Sequence, residues 1–298
     1  MNLRKSFTAM LQEDTICENL SEIGPSQSGL GLIYTRLELS NMSLSDIEAV
    51  SNFKQLQHID ISHNLIEDVT PLANIHNLLS LDVSHNKIKE WPDLNTVGNI
   101  KSLDLSHNQL TTIEHVTHLR QIRSLRLDHN QIQVLPSSLQ NLKQLLTLTA
   151  AKNYINKING LQNLSIKHLD LHGNQIKRVE SLEGTRYLQH LDLSENSIQS
   201  LRGLQGHSCL EELLLSNNSV LDITEIKYIM DLRALRELNL KDNPIQTLAG
   251  YRASVVFKLN QISLLDEEVV TPKEKVCNTV TSRYIKHKCI EIPAYIDV

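Results

Sequence analysis

An asparagine that returns about every 22 residues constrains this chain more than any other feature. Asn64, Asn86, Asn108 and Asn130 are spaced by 22, and Asn153, Asn174, Asn196, Asn218 and Asn243 follow at intervals of 23, 21, 22, 22 and 25. Each closes the pattern L-x-L-x-x-N, with aliphatic variants, as in Leu103-Asp-Leu105-Ser-His-Asn108 and Leu191-Asp-Leu193-Ser-Glu-Asn196. One more unit precedes them, Leu37-Glu-Leu39-Ser-Asn-Met42, with Met where Asn is expected, which gives ten units. A unit this short cannot bury an apolar face alone, so its neighbours must stack on it into one continuous core.

The alternation L-x-L predicts a short strand with its leucines inward and the intervening side chains outward. The residues after Asn, as in Asn108-Gln-Leu110-Thr-Thr-Ile113, bring further apolar groups inside. Segments such as Val116-Thr-His-Leu119-Arg-Gln-Ile122 complete the coil with helical or 3₁₀-like spacing. The Asn stands where the chain leaves the strand, and its amide can satisfy backbone groups that water does not reach. Its recurrence is therefore structural. Composition agrees: aromatic residues are only 4%, since each coil fills its core with Leu, Ile and Val.

On these residues the chain resembles the leucine-rich-repeat family, in the 22-residue class similar to phosphatase regulators. The resemblance implies an α/β leucine-rich-repeat solenoid, curved, with a parallel sheet on its concave face and a cap at each end. It runs from about residue 31 to 275, with ten repeats over 31–246. Tyr251 to Phe257, Ile262 to Val269 and Thr271-Pro-Lys-Glu274 look like the class's C-terminal cap, placed at 247–275. Residues 276–298 are expected to be a tail. At the N-terminus, Leu3, Phe7, Met10 and Leu11 lie at helical spacing and are expected to seal the first coil. Gly24-Pro-Ser-Gln-Ser-Gly29 reads as a linker, which closes an N-terminal cap over 1–30. Closer likenesses are to radial-spoke leucine-rich-repeat proteins of motile cilia (Gly29 to Ser62) and to the repeats of leucine-rich-repeat/guanylate-kinase proteins of sperm-tail assembly (Glu225 to Ile245).

Other chemistries find little support. Lys plus Arg number 29 against 34 Asp plus Glu, a net charge of −5, so no basic nucleic-acid footprint stands out. No apolar run of about 18 residues occurs, and neither a signal peptide nor a membrane span is expected. Cys17, Cys209, Cys277 and Cys289 form no C-x-x-C pair and are expected to be reduced thiols of a cytoplasmic protein. Gly24 and Gly29 have a phosphate-loop separation, but Leu30 stands where its Lys belongs. With no hydrolase, zincin or dinucleotide motif, the expectation is no enzyme and no cofactor or metal.

Two ladders remain. His63, His85, His107 and His129 each precede the repeat Asn and should lie about 5 Å apart, the strand spacing. Metal binding or pH sensing is conceivable there, but repeat filling is the plainer reading. Glu38, Asp60, Asp82 and Asp104 occupy the outward strand position, and Asp170 and Asp192 return to it after Arg126 and Thr149. Asp there also fits repeat consensus and a local hydrogen bond. Even so, the sum is an acidic strip that would steer and hold a basic segment. The candidate partner-binding residues are these acids with Arg126, and beside them His58, Asp128 and His172. At Leu148-Thr-Ala150-Ala-Lys-Asn153 a small residue replaces the inward Leu, and a local bend is favoured over a binding notch. Trp91 is read as a packed or half-exposed residue rather than a binding anchor.

The function expected is a non-enzymatic protein-binding scaffold within a larger assembly, axonemal or cytoskeletal by resemblance, in the cytoplasm or a cilium. Regulation of a protein phosphatase is the first alternative, weakened because the outward positions carry no ring except imidazole. A ribonucleoprotein component is the second, on a cap that resembles a spliceosomal repeat protein; the acidic strip argues against direct RNA contact.

Overall fold

The computed structural model describes residues 9–25 and 31–275. In chain order it begins with β1 (Ala9–Met10), α1 (Glu13–Glu18), β2 (Leu20–Pro25), β3 (Leu32–Glu38) and β4 (Leu44–Asp46). The repeats continue with β5 (His58–Asp60), β6 (Ser80–Asp82), β7 (Ser102–Asp104), β8 (Ser124–Arg126) and β9 (Thr147–Thr149). Then come β10 (His168–Asp170), β11 (His190–Asp192), β12 (Glu212–Leu214) and β13 (Glu237–Asn239). The last elements of the described residues are α2 (Tyr251–Lys258), β14 (Leu264–Leu265) and β15 (Glu268–Val269). Strands β3 and β5 to β14 pair in parallel, each with the next, in one open sheet, and β2 and β15 close its two ends antiparallel.

The register follows the repeat. Leu37, Ile59, Leu81, Leu103, Leu125, Leu148, Leu169, Leu191, Leu213, Leu238 and Leu265 stand side by side, all buried. Two residues on, Leu39, Ile61, Val83, Leu105 and Leu127 form the second buried row. Their flanking residues face outward, as a period of two requires. The return segments carry 3₁₀ turns at Glu48–Asn52, Thr70–Asn74, Asn95–Val97, Glu114–His118, Ser137–Asn141, Ile223–Ile229 and Pro244–Thr247. Trp91 lies inside a return segment at 2% exposure, and its indole N–H has no hydrogen-bond partner.

The repeat asparagines join the coils. Asn108 Nδ2 donates to the carbonyls of Val83 (3.0 Å), Leu105 (3.1 Å) and Ser106 (3.2 Å), and its Oδ1 accepts from Ile88 N (3.0 Å). The pattern repeats at Asn86, Asn130 and Asn218. The residue before each repeat Asn, and before Met42 of the first unit, adopts a positive φ, from Asn41 (60°) through the four histidines (53–54°) and Lys152 (53°) to Asp242 (57°). That left-handed turn tolerates His, Asn and Asp far better than β-branched residues, which accounts for the polar occupants of the slot.

The N-terminal end differs in detail from the sequence expectation. Met10 lies in a strand, with Ala9 paired to Leu44 and Met10 to Asp46, rather than in a helix; Leu3 and Phe7 fall outside the described residues. Helix α1 starts later and buries Ile16 completely. Gly24 and Pro25 belong to β2, opposite Ile33 and Leu32, so the expected linker is partly strand. The antiparallel β2 covers the edge that the first repeat strand would otherwise expose. At the C-terminus, Asp266 fixes the cap: its Oδ1 accepts Leu240 N (2.7 Å), and its Oδ2 accepts Gln246 Nε2 (3.1 Å) and the Tyr251 hydroxyl (3.0 Å). Burial and the Asp266 charge hold that phenol firmly protonated. The unit at 147–153 keeps its register, with Thr147 paired to both Ser124 and His168, and Ala150 and Ala151 are buried. Cys17 and Cys209 are free and exposed; Cys277, Cys289 and the 276–298 segment lie outside the described residues.

Candidate functional site: the open face of the sheet

The outward strand positions form columns. Glu38, Asp60, Asp82, Asp104, Arg126, Thr149, Asp170 and Asp192 are register partners, one strand to the next. Neighbouring strands lie about 4.8 Å apart, so these carboxylates repel one another. Each of Asp60, Asp82, Asp104, Asp170 and Asp192 accepts the backbone N–H two residues on with its Oδ1, at 2.8–3.0 Å. Burial raises Asp82 above the usual carboxylate range, and Asp104 and Asp60 push it further, against the Ser84 hydrogen bonds. Asp192 is raised by burial and by Asp170.

Few cations offset this column. Arg126 approaches Asp104 at 3.5 Å, and Arg36 pairs with Glu22 (2.7 Å) and Glu38 (3.8 Å). Among the described residues no cation lies within ion-pair distance of Asp60 or Asp82. Next to the column runs a row of buried serines, Ser62, Ser84 and Ser106, too small to screen it.

Beyond the serines stand the histidines. His63, His85 and His107 stack with centroids 3.9 Å apart and planes within 11°, and His107 and His129 continue at 4.1 Å. The rings lean together, closer than the strand spacing predicted. Stacked rings point their nitrogens side by side rather than at a common point, which is unlike the convergent geometry of a zinc site. Burial and the neighbouring imidazoles lower the pKa of His85 and His107, against the pull of nearby aspartates.

Other predicted residues serve the coils. Asp128 caps the irregular unit: its carboxylate accepts Ala151 N (2.7 Å) and the Thr149 hydroxyl (2.6 Å), taking over where Thr149 replaces the usual Asp. His172 Nδ1 meets Asp170 Oδ1 at 2.9 Å. His58 lies in register between Arg36 and Ser80 at the other margin of the face. Sequence reasoning missed His190, which meets Glu212 at 2.8 Å, and the Lys152–Glu195 ion pair. That pair skips a coil because Gly173 (φ 64°) stands between; a Cβ there would lie 2.5 Å from Lys152 Cδ.

Profiles of the leucine-rich-repeat family match residues 34–74 (two copies), 74–89, 94–132 and 166–289. With the sheet and its columns, they establish that the chain belongs to the leucine-rich-repeat proteins. It is similar to the human leucine-rich repeat and guanylate kinase domain-containing protein, at 37% identity over 62 residues, 21% of this chain and 8% of that protein. The match thus spans under a tenth of this relative. Among solved structures, a Leptospira interrogans leucine-rich-repeat protein aligns with TM-score 0.66 and 26% identity over 82% of this chain and 69% of its own. A Listeria monocytogenes internalin aligns with TM-score 0.59 and 22% identity over 75% and 71%.

Proposed function

We propose that this chain is a non-enzymatic scaffold whose open sheet face, at β5 to β7, holds an extended basic segment of a protein partner. Leucine-rich-repeat solenoids use this face, the concave one, as a binding surface. The observation that carries the reading is the in-register trio Asp60, Asp82 and Asp104, crowded, partly buried and, among the described residues, paired with no cation but Arg126. Lysines or arginines spaced along an extended partner would relieve that repulsion and be drawn in by the field of the strip. Glu38 extends the strip toward β3, and Asp170 and Asp192 extend the acidic character beyond Thr149, with His172 against Asp170.

The assembly proposed for it is axonemal or cytoskeletal. The support is the likeness of Gly29 to Ser62 and Glu225 to Ile245 to repeat proteins of motile cilia and sperm tails. Affinity capture from ciliated-cell extract, with the wild type beside a triple Asp60→Lys, Asp82→Lys, Asp104→Lys variant, tests both parts. Axonemal proteins held by the wild type and lost by the folded variant are expected. Capture of a phosphatase catalytic subunit or of ribonucleoprotein would overturn the axonemal assignment, and equal capture by the two forms would overturn the acidic face.

A further inference from the structure

Away from the sheet, the return segments bring together two imidazoles and a carboxylate. His115 and His118 lie on the 3₁₀ turn Glu114–His118, and Asp93 lies in the return segment of the coil before. The trio follows from the repeat. Asp93 and His115 are 22 residues apart, one repeat length, so stacking places them in equivalent positions of adjacent coils. A 3₁₀ helix has three residues per turn, so the residue three after His115 comes round to the same face. That residue is His118. Its Nδ1 meets Asp93 Oδ1 at 3.1 Å, and the His115 and His118 rings lie edge to face at 5.8 Å. One donor atom from each residue falls within 4.8 Å of the other two, on an exposed surface.

We propose that Asp93, His115 and His118 bind one divalent transition-metal ion, with zinc as the ion of choice, and that the ion staples two adjacent coils. Two imidazole nitrogens and one carboxylate oxygen are a frequent zinc donor set, with water completing the tetrahedron. The rings here are turned to each other at 72° rather than stacked, so their nitrogens can converge. Zinc takes the place of the His118–Asp93 contact and needs only small side-chain rotations on an open surface. A second trio, Asp170, His172 and Asp192, also gathers donors within 4.8 Å, but it offers a single imidazole. Both its Oδ1 atoms already hold backbone N–H groups. It serves as the internal control.

Calorimetric titration of the full chain with zinc chloride at pH 7.5 tests the site, with thermal unfolding as a second readout. One saturable site is expected, together with a melting temperature that climbs with zinc concentration, because the ion binds the folded coils. The double variant His115→Ala, His118→Ala should weaken binding at least about tenfold and remove the thermal gain, and Asp93→Asn should weaken it about tenfold. His172→Asn and His85→Asn should leave both readouts unchanged. All three residues are exposed, so the variants should fold, and circular dichroism checks that they do. Absence of saturable binding by the wild type, or unchanged affinity in the folded double variant, overturns the proposal.

Discussion

The side-chain oxygen of Asn108 accepts the backbone N–H of Ile88 at 3.0 Å, tying each coil to the one before it. Its amide simultaneously serves three carbonyls in a place where the side chain is only 7% exposed. Asn108→Ala would leave several buried backbone groups without partners. A loss of about 2–4 kcal/mol is expected in urea unfolding. The same change at Asn196, which is less buried, should cost less.

The C-terminal cap rests on Asp266, which accepts from Leu240 N, Gln246 and Tyr251. Tyr251→Phe removes one of these bonds and should cost about 1 kcal/mol. Asp266→Ala strips all three and should cost about 2–4 kcal/mol. Hydrogen exchange should show the extra loss first in β14 and β13, the strands next to the cap.

The stacked imidazoles give the fold a pH dependence whose sign can be worked out. His85 and His107 have pKa values below the ordinary histidine range in the folded chain, mainly through burial and then through each other and their fellow imidazoles. Asp82, Asp104 and Asp128 face them and partly oppose the shift. The unfolded chain therefore binds protons before the folded one does, and stability is lost as pH falls below about 6.5 toward the lowered values. Asp82 and Asp192 act in the opposite sense at lower pH: their values are raised first by burial and then by neighbouring aspartates, so protonation removes a buried, crowded charge and returns some stability. Urea unfolding of the wild type should weaken between pH 7.5 and 5.5. The double variant His85→Asn, His107→Asn keeps residues suited to a left-handed turn and should flatten that slope.

Much of this architecture is legible in the sequence because one period governs it. Leu103 and Asn108 face the core for the same reason in every coil, and ten strands follow from ten L-x-L units. The carboxylate column is equally legible, since residues one repeat apart become register partners. What the sequence hides is set by backbone conformation and by contacts across coils. Met10 pairs with Asp46, far along the chain, so its helical spacing misleads. Asp128 reads as a surface acid but caps Ala151, because Thr149 vacates that role in the next coil. The Lys152–Glu195 pair depends on the missing side chain of Gly173. The Asp93, His115 and His118 trio is hidden for the same reason, since Asp93 meets the two histidines only when adjacent coils stack.

The central claim, that the acidic column captures a basic segment, is most directly tested by fluorescence anisotropy with an arginine- and lysine-rich extended peptide. The folded wild type should bind it, more weakly as salt rises because the contacts are charged. The triple variant Asp60→Asn, Asp82→Asn, Asp104→Asn keeps an oxygen for each local backbone N–H, so folding should persist. It should lose at least about tenfold in affinity, roughly 1.4 kcal/mol, with a shallower salt dependence. Equal affinity and equal salt dependence in the two proteins would contradict the account.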